Sequence, residues 1–255
     1  MNVLLINDIC SHGIVGSNAI KVLLEAKGFN VFNIPSLILS NTFNFDNVYK
    51  IDTSDYLEAC LNEYEKENLV FEYILIGYLA NQRQAMAIEK FIKKQNKAFI
   101  VVDPTMADNG KLYSGVNTEV VNYMDELAKL SDLLIPNYTE AKLLCHQNMD
   151  NIDQVIDKMK SKYNNFLITS YQDQYNYLYQ KAKDKLTIVK YNKIGDGYPG
   201  TGDLFVGFLM ANYQELGLEK ACEKASESLS DLISKYGSEV SKYNGLAISA
   251  YLNNF

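Results

Sequence analysis

A chain of 255 residues with 47% hydrophobic and 22% charged content holds enough apolar mass for one α/β domain with a large core. Its 24 Lys and Arg against 31 Asp and Glu leave a formal net charge of −7, so no basic face can follow a phosphate backbone and nucleic acid is excluded as a partner. No stretch reaches the ~18 consecutive apolar residues of a membrane span, and MNVLLINDIC has no basic segment ahead of its apolar run. A cytoplasmic protein without membrane contact is expected.

Taken in chain order, short β-branched runs alternate with helical patterns. VLLIN (3–7) reads as a strand and SNAIKVLLEAKG (17–28) as a helix; NVFNIPS (30–36) and SDYLEACLNEYEKE (54–67) repeat the pair. YILIGY (73–78) and AFIVVD (98–103) are strands around the helix QAMAIEKFIKKQ, and EVVNYMDELAKL leads to the strand LLIPN (133–137). IDQVIDKMKSKY then precedes the strand FLITS (166–170). Strand and helix repeated in this way predict a three-layer α/β/α unit with a mostly parallel central sheet. YNYLYQ and KLTIVKYN, joined by the charged link KAKDK, predict an antiparallel edge hairpin, and only helices are expected after Thr201. With no Pro/Gly/Ser-rich linker and no repeat, residues 1–255 read as a single domain.

Several chemistries are disfavoured at once. Cys10, Cys60, Cys145 and Cys222 lie far apart with no C-x-x-C pair, which argues against a zinc knuckle or redox dithiol and for reduced, mostly buried thiols. His12 and His146 are the only histidines, and neither stands in a metalloprotease setting. Neither G-x-x-x-x-G-K-[ST] nor G-x-G-x-x-G after the first strand is present.

In open parallel sheets ligands bind beyond the carboxyl ends of the strands. The polar residues there are Asn7 and Asp8, Ser40 and Asn41, Tyr78, Asp103, Asn137 with Glu140, Thr169 with Ser170, and the turn GYPGTGD (197–203). Nearly all are small donors or acids, a set suited to a metal–phosphate complex held by backbone amides. In phosphoryl transfer the protein supplies positioning, charge neutralisation and a base for the acceptor hydroxyl. Gly200, Thr201 and Gly202 would offer amides at a helix N-terminus, and Asp203 could take the hydroxyl proton. The plainer account of the same turn is helix capping by Thr201 or Asp203. VVDPTMADNGKLY places Asp103 at a strand end and Asp108 in a turn, and PNYTEAKLL puts Glu140 on a first helical turn. A hard cation that keeps several waters needs only one or two such carboxylates. The plainer accounts are a strand-ending Asp-Pro turn for Asp103 and, for Glu140, a charge at a helix capped by Asn137 or Thr139.

GTGD, the string VVDPTMADNGKLY and PNYTEA together resemble the ribokinase-like superfamily, and within it the pyridoxal kinase branch. GYL (77–79), INDICSHGIVGSNAI and NIPSLILSN extend the likeness along nearly the whole chain. The resemblance implies a Rossmann-like α/β/α fold with about eight or nine strands. It also implies ATP as donor, Mg2+ with a monovalent cation such as K+, and transfer to the 5′-hydroxymethyl of a vitamin B6 vitamer, with a homodimer as the usual assembly. Carried over by position, Asp203 would be the base and Gly200, Thr201 and Gly202 the anion hole. Asp103, Asp108 and Glu140 would serve the metal–phosphate region, with Asp108 and Glu140 toward the metal. Asn137, Thr169 and Ser170 would serve the ATP phosphates, and Asp8, Gly13, Ser40 and Tyr78 the vitamer. The chain departs from the better-known pyridoxal kinases at Asp8, where they have serine, and in the segment Ser40-Asn41-Thr42-Phe43, where they read SNHT. An acid at the first of these positions is shared with hydroxymethylpyrimidine kinases, which generally carry cysteine where this chain has Asp203. A hydroxymethylpyrimidine or dual-specificity kinase, and a non-catalytic vitamer-binding relative, are therefore the alternatives to a B6 kinase.

Overall fold

Alternating apolar side chains sort the strands onto two faces of one sheet, because successive residues of a strand point to opposite sides. The computed structural model describes residues 1–113, 116–146, 149, 151–194, 197–241 and 243–252. In chain order its elements begin with β1 (Asn2–Cys10), α1 (Ser17–Ala26), β2 (Asn30–Leu39), β3 (Lys50–Asp52) and α2 (Ser54–Lys66). The middle holds β4 (Tyr73–Ile76), α3 (Gln82–Ile92), β5 (Phe99–Val102), β6 (Ala107–Asp108), β7 (Lys111–Leu112), α4 (Glu119–Leu130) and β8 (Leu133–Leu134). The last third holds α5 (Tyr138–Leu144), α6 (Ile152–Lys162), β9 (Asn165–Tyr171), β10 (Tyr175–Gln180), β11 (Lys185–Lys190), α7 (Thr201–Tyr236) and α8 (Ile248–Tyr251).

The central sheet has nine strands in the order β11-β10-β9-β8-β5-β4-β1-β2-β3. Pairings from β9 through β2 are parallel, while β10, β11 and β3 add antiparallel strands at the two edges. Leu4, Ile6, Ile74, Ile76, Val102, Leu134 and Phe166 face one way, into a core with Leu57 and Leu61 of α2, Phe91 of α3, Met124 of α4, Leu144 of α5 and Met159 of α6. Val3, Leu5, Leu75, Val101, Leu133 and Leu167 face the other way, against Leu23 of α1, Phe208 and Leu209 of α7 and Tyr251 of α8. Helices thus cover both faces, as the strand–helix alternation predicts. The hairpin β10–β11 stands at the edge where its alternating pattern placed it.

Several elements differ from the sequence reading. β1 extends to Cys10, three residues past Asn7, and β8 keeps only Leu133–Leu134 of 133–137. β2 runs three residues past Ser36, because Leu37 and Leu39 are buried under the β1–α1 segment in a small cluster with Cys10, Val15 and Tyr78. β3 has all three residues exposed, so it carries no hydrophobic alternation to read. The stretch taken as a turn around Asp108 is the hairpin β6–β7, closed by Asn109 and Gly110 with φ of 50° and 78°. Left-handed backbone at both loop residues is what a two-residue hairpin turn requires, and Asn-Gly supplies it cheaply. After Thr201 the described chain is helical apart from connecting turns, although Gly217 breaks α7 with φ 73° and ψ 166°. All four cysteines are unpaired, with Cys10, Cys145 and Cys222 buried.

Candidate active site

The turn before α7 takes its form from Gly200. This residue is the N-cap with φ 78°, and a Cβ there would stand 2.6 Å from the Ile14 carbonyl oxygen, so both conformation and space favour glycine. The N-cap glycine has no side chain to cap the helix, and within the first turn the Asp203 carboxylate accepts only its own N–H. The first-turn amides of Thr201 and Gly202 stay open at the mouth of a cleft that both residues line. Uncapped amides at the positive end of a helix dipole attract an anion.

The Asp203 carboxylate is held by the β1–α1 segment, which lies beside it on the same face of the sheet. Its Oδ2 accepts from the Gly16 N–H at 2.8 Å and its Oδ1 from Asn7 Nδ2 at 3.1 Å. Gly16 is itself the N-cap of α1, with φ 56° and ψ −138°. A Cβ at Gly16 would stand 2.6 Å from the Asp8 carbonyl oxygen and 2.8 Å from both carboxylate oxygens. Only glycine lets the β1–α1 turn fold over Asp8 while presenting its N–H to Asp203. Two ends of the chain, residues 7–16 and 200–203, therefore meet around one carboxylate.

A second carboxylate follows β5. Asp103 N donates to the Ile76 carbonyl, and its own carbonyl accepts from Thr105 N at 2.7 Å, which turns the chain sharply at Pro104. Burial is the main cause that pushes Asp103 up to about 8 and Asp8 up to about 7, with the Asp203 charge the next. Asp203 is raised as well by burial, opposed by the Gly16 N–H and then by the Asn7 amide. Tyr113, which follows β7, is raised by burial and then by Glu140, Asp108, Asp103 and Asp203. The site is thus a set of acids facing one another, with protons shared among them at neutral pH.

Glu140 is 2% exposed and sits at a helix start capped by Asn137, as its plainer sequence reading expects. Its Oε2 accepts from Asn137 N and its backbone N donates to Asn137 Oδ1, a complete capping box at α5. Its Oε1 accepts from Met106 N at 3.0 Å and Ala107 N at 3.3 Å, while Asn137 Nδ2 donates to the Ala107 carbonyl at 2.7 Å. Gly110 N donates to Thr139 Oγ1. The N-terminus of α5 thereby fixes the β6–β7 hairpin and leaves the Asp108 carboxylate exposed toward the cleft, where it accepts only from Asn109.

The cleft has a volume of about 1620 Å³. Ten of the fourteen residues expected at the site line it: Asp103, Asp108, Asn137, Glu140, Thr169, Ser170, Gly200, Thr201, Gly202 and Asp203. Asn137, past the end of β8, forms a parallel bridge with Thr169 of β9, and Ser170, with φ 59°, turns its N–H to Asn176 Oδ1. The four residues expected at the acceptor lie apart from that lining. Asp8 adjoins Asp203, and Tyr78, 9% exposed, adjoins Asp8. Gly13 packs against Thr42 and the carbonyls of Tyr243 and Asn244. The Ser40 hydroxyl is used within its own turn, bonding Asn41 and accepting from Tyr49 N. Sequence reasoning placed Asn7 among the strand-end polar residues without giving it a role, and did not select Gly16, Tyr113, Lys142 or Lys193. The last three also line the cleft. The Asn-Gly pair of the hairpin was a usable signal for Tyr113; nothing local marks the lysines.

Comparison with known proteins agrees with this geometry. The model of the phosphomethylpyrimidine kinase family matches residues 15–247. A provisionally named pyridoxal kinase of Schizosaccharomyces pombe is 28% identical over 271 residues, covering 94% of this chain and 86% of that protein. A provisionally named phosphomethylpyrimidine kinase of Bacteroides thetaiotaomicron, crystallised with pyridoxal, superposes with a TM-score of 0.89 at 26% identity, covering 99% of this chain and 94% of that one. Pyridoxal kinase from Leishmania donovani in complex with ADP and pyridoxamine shares the fold with a TM-score of 0.84 at 24% identity, covering 99% and 94%. The chain therefore belongs to the phosphomethylpyrimidine kinase family, which places it beside the pyridoxal kinases in the ribokinase-like superfamily as a phosphotransferase with an alcohol group as acceptor.

Proposed function

We propose that the protein phosphorylates the 5′-hydroxymethyl group of a vitamin B6 vitamer with ATP as donor. The observation that carries this reading is the Asp203 carboxylate, held by Gly16 N–H and Asn7 Nδ2 beside the uncapped amides of Thr201 and Gly202. As the hydroxyl oxygen attacks the γ-phosphorus, its proton passes to Asp203, and the bond from phosphorus to the β–γ bridging oxygen breaks to leave ADP. Gly200, Thr201 and Gly202 donate amides to the oxygens of the moving phosphoryl group. Asn137, Thr169 and Ser170 face the rest of the nucleotide phosphates. Asp8 and Tyr78 meet the vitamer ring, with Gly13 and Ser40 shaping the turns around it. Relatives crystallised with pyridoxal, and with ADP and pyridoxamine, support the choice of ligands.

The donor set fits Mg2+ accompanying the nucleotide. Among the described residues no three His, Cys, Asp or Glu side chains stand close enough to cage an ion. That suits a cation held largely by water and phosphate oxygens with one or two carboxylates. Asp108 would be its direct protein contact, and Glu140, whose oxygens already accept amides, would act through the hydration shell. The ion supplies charge neutralisation for the phosphates.

Coupled ADP release with pyridoxal, pyridoxamine, pyridoxine and hydroxymethylpyrimidine tests the reading. Turnover with a B6 vitamer is expected, and none with any of the three would refute it. The matching family model and Asp8 favour one second reading, hydroxymethylpyrimidine as an additional or preferred acceptor, and kcat/KM for the two ring types decides between them. Asp203→Asn should lower kcat roughly 10²- to 10⁴-fold with KM for ATP little changed, since a base acts in the transition state.

A further inference from the structure

The end of β1 holds a buried amide that the reaction scheme above does not use. Asn7 is 1% exposed and lies where the pairing of β1 with β2 loses register, opposite Pro35. Its Oδ1 accepts from Asp8 N at 3.0 Å and from Tyr78 N at 2.8 Å. The second of these N–H groups lies just past β4, after Gly77 N, which donates to the Ile6 carbonyl, so the Asn7 side chain ties the chain leaving β4 to β1. Two backbone N–H groups can only donate. The carbonyl end of Asn7 must therefore face them, and the NH2 end must face Asp203 Oδ1, 3.1 Å away.

We propose that Asn7 is a positioning residue for phosphoryl transfer, its clamped side-chain amide holding the Asp203 carboxylate in the orientation and ionised state needed to take the acceptor's proton. This rests on the reading of Asp203 as the base. Gly16 N–H on Oδ2 and Asn7 Nδ2 on Oδ1 fix the two carboxylate oxygens from outside the helix, beside Asp203's own backbone N–H, and a lone pair is left for the hydroxyl. The carboxylate cannot rotate about its Cβ–Cγ bond without losing both bonds. The charged groups that face Asp203 are Asp8 from β1, Asp103 from the end of β5 and Tyr113 after β7, and each couples to it electrostatically. All three are acids, so their ionisation disfavours a charge on Asp203, while Gly16 N–H, the Asn7 amide and Asp203's own N–H favour it. Asn7 is the side-chain member of that set.

Asn7→Asp separates this role from a structural one. It keeps the shape and an oxygen acceptor for Asp8 N and Tyr78 N, and in its ionised form replaces the donor to Asp203 with an acceptor. Asn7→Ala removes the donor without adding charge. In each, kcat with the best vitamer should fall about 10- to 100-fold, the range expected for a lost hydrogen bond to a charged group. The acid limb of the kcat profile should move up by about one pH unit or more, because the ionised base has lost a donor. KM for ATP should change less than about threefold, since kcat carries what is lost only in the transition state. Thermal unfolding reports folding separately. A kcat and acid limb at wild-type values in either folded variant would overturn the inference, as would lower kcat with an unmoved limb in both. Asp203→Asn, run in parallel, separates the two levels. If it abolishes turnover while the Asn7 variants leave the limb in place, the inference alone fails. If it retains wild-type kcat, the assignment of the base fails.

Discussion

Replacing Asp103 by Asn should stabilise the free protein, and the gain should grow with pH. Burial and then the Asp203 charge lift the Asp103 carboxyl from its ordinary 3.8 to about 8. The folded state therefore binds this proton more tightly than the unfolded chain does. Stability from this group is complete below pH 3.8, falls as pH rises between 3.8 and about 8, and is lost above that. Moving one carboxyl over that interval, taken alone, corresponds to roughly 5–6 kcal/mol. Asp8 and Asp203 share the same protons, so we expect on the order of 2–3 kcal/mol from one substitution. For a chain of this size that is about 5–10 °C in Tm. Thermal unfolding of wild type and Asp103→Asn, without nucleotide, should coincide near pH 4 and diverge in favour of the variant toward pH 8.5. Equal Tm values at pH 8.5, or a gap that narrows as pH rises, would refute the argument. The variant should lose activity at the same time, a trade expected where a site holds charges for its ligands rather than for its own stability.

Two other substitutions test the frame around the acids. Gly16→Ala forces a Cβ against Asp8 at 2.6–2.8 Å in a left-handed turn and displaces the N–H that holds Asp203. A loss of about 1–3 kcal/mol in denaturant unfolding is expected, with kcat reduced more than KM for ATP. Glu140→Ala strips the acceptor from Met106 N, Ala107 N and Asn137 N at once. It should cost on the order of 3 kcal/mol, with faster amide exchange at those three positions as the local signature.

The hydrophobic patterns made the layers legible because each strand of the parallel region is buried on both faces and each helix on one. EVVNYMDELAKL coincides with α4 end to end, and the edge hairpin falls where its alternation begins. β3 escaped because an exposed edge strand has no apolar period, and the end of β2 escaped because its burial depends on Cys10, Val15 and Tyr78, which are distant in sequence or packed across a turn. The residues expected at the nucleotide were readable as polar groups at strand ends and turns, and all of them line one cleft. Those expected at the acceptor were less so: the Ser40 hydroxyl is used in its own turn and Gly13 under the C-terminal loop, contacts made by segments that local spacing does not describe.

By itself the sequence determined the fold class, the family and the identity of the acids, because periodicity, turn residues and short motifs are local properties of the chain. The tertiary structure alone decided what each acid faces. Asp203 looked equally like a helix cap and a base from its neighbours. Gly200 rather than a side chain makes the turn, and the carboxylate is held in place by Asn7 and Gly16, roughly 190 residues earlier in the chain. Hydrogen-bond partners and desolvation are set by which loops the parallel sheet brings to one end, and no window of sequence contains them.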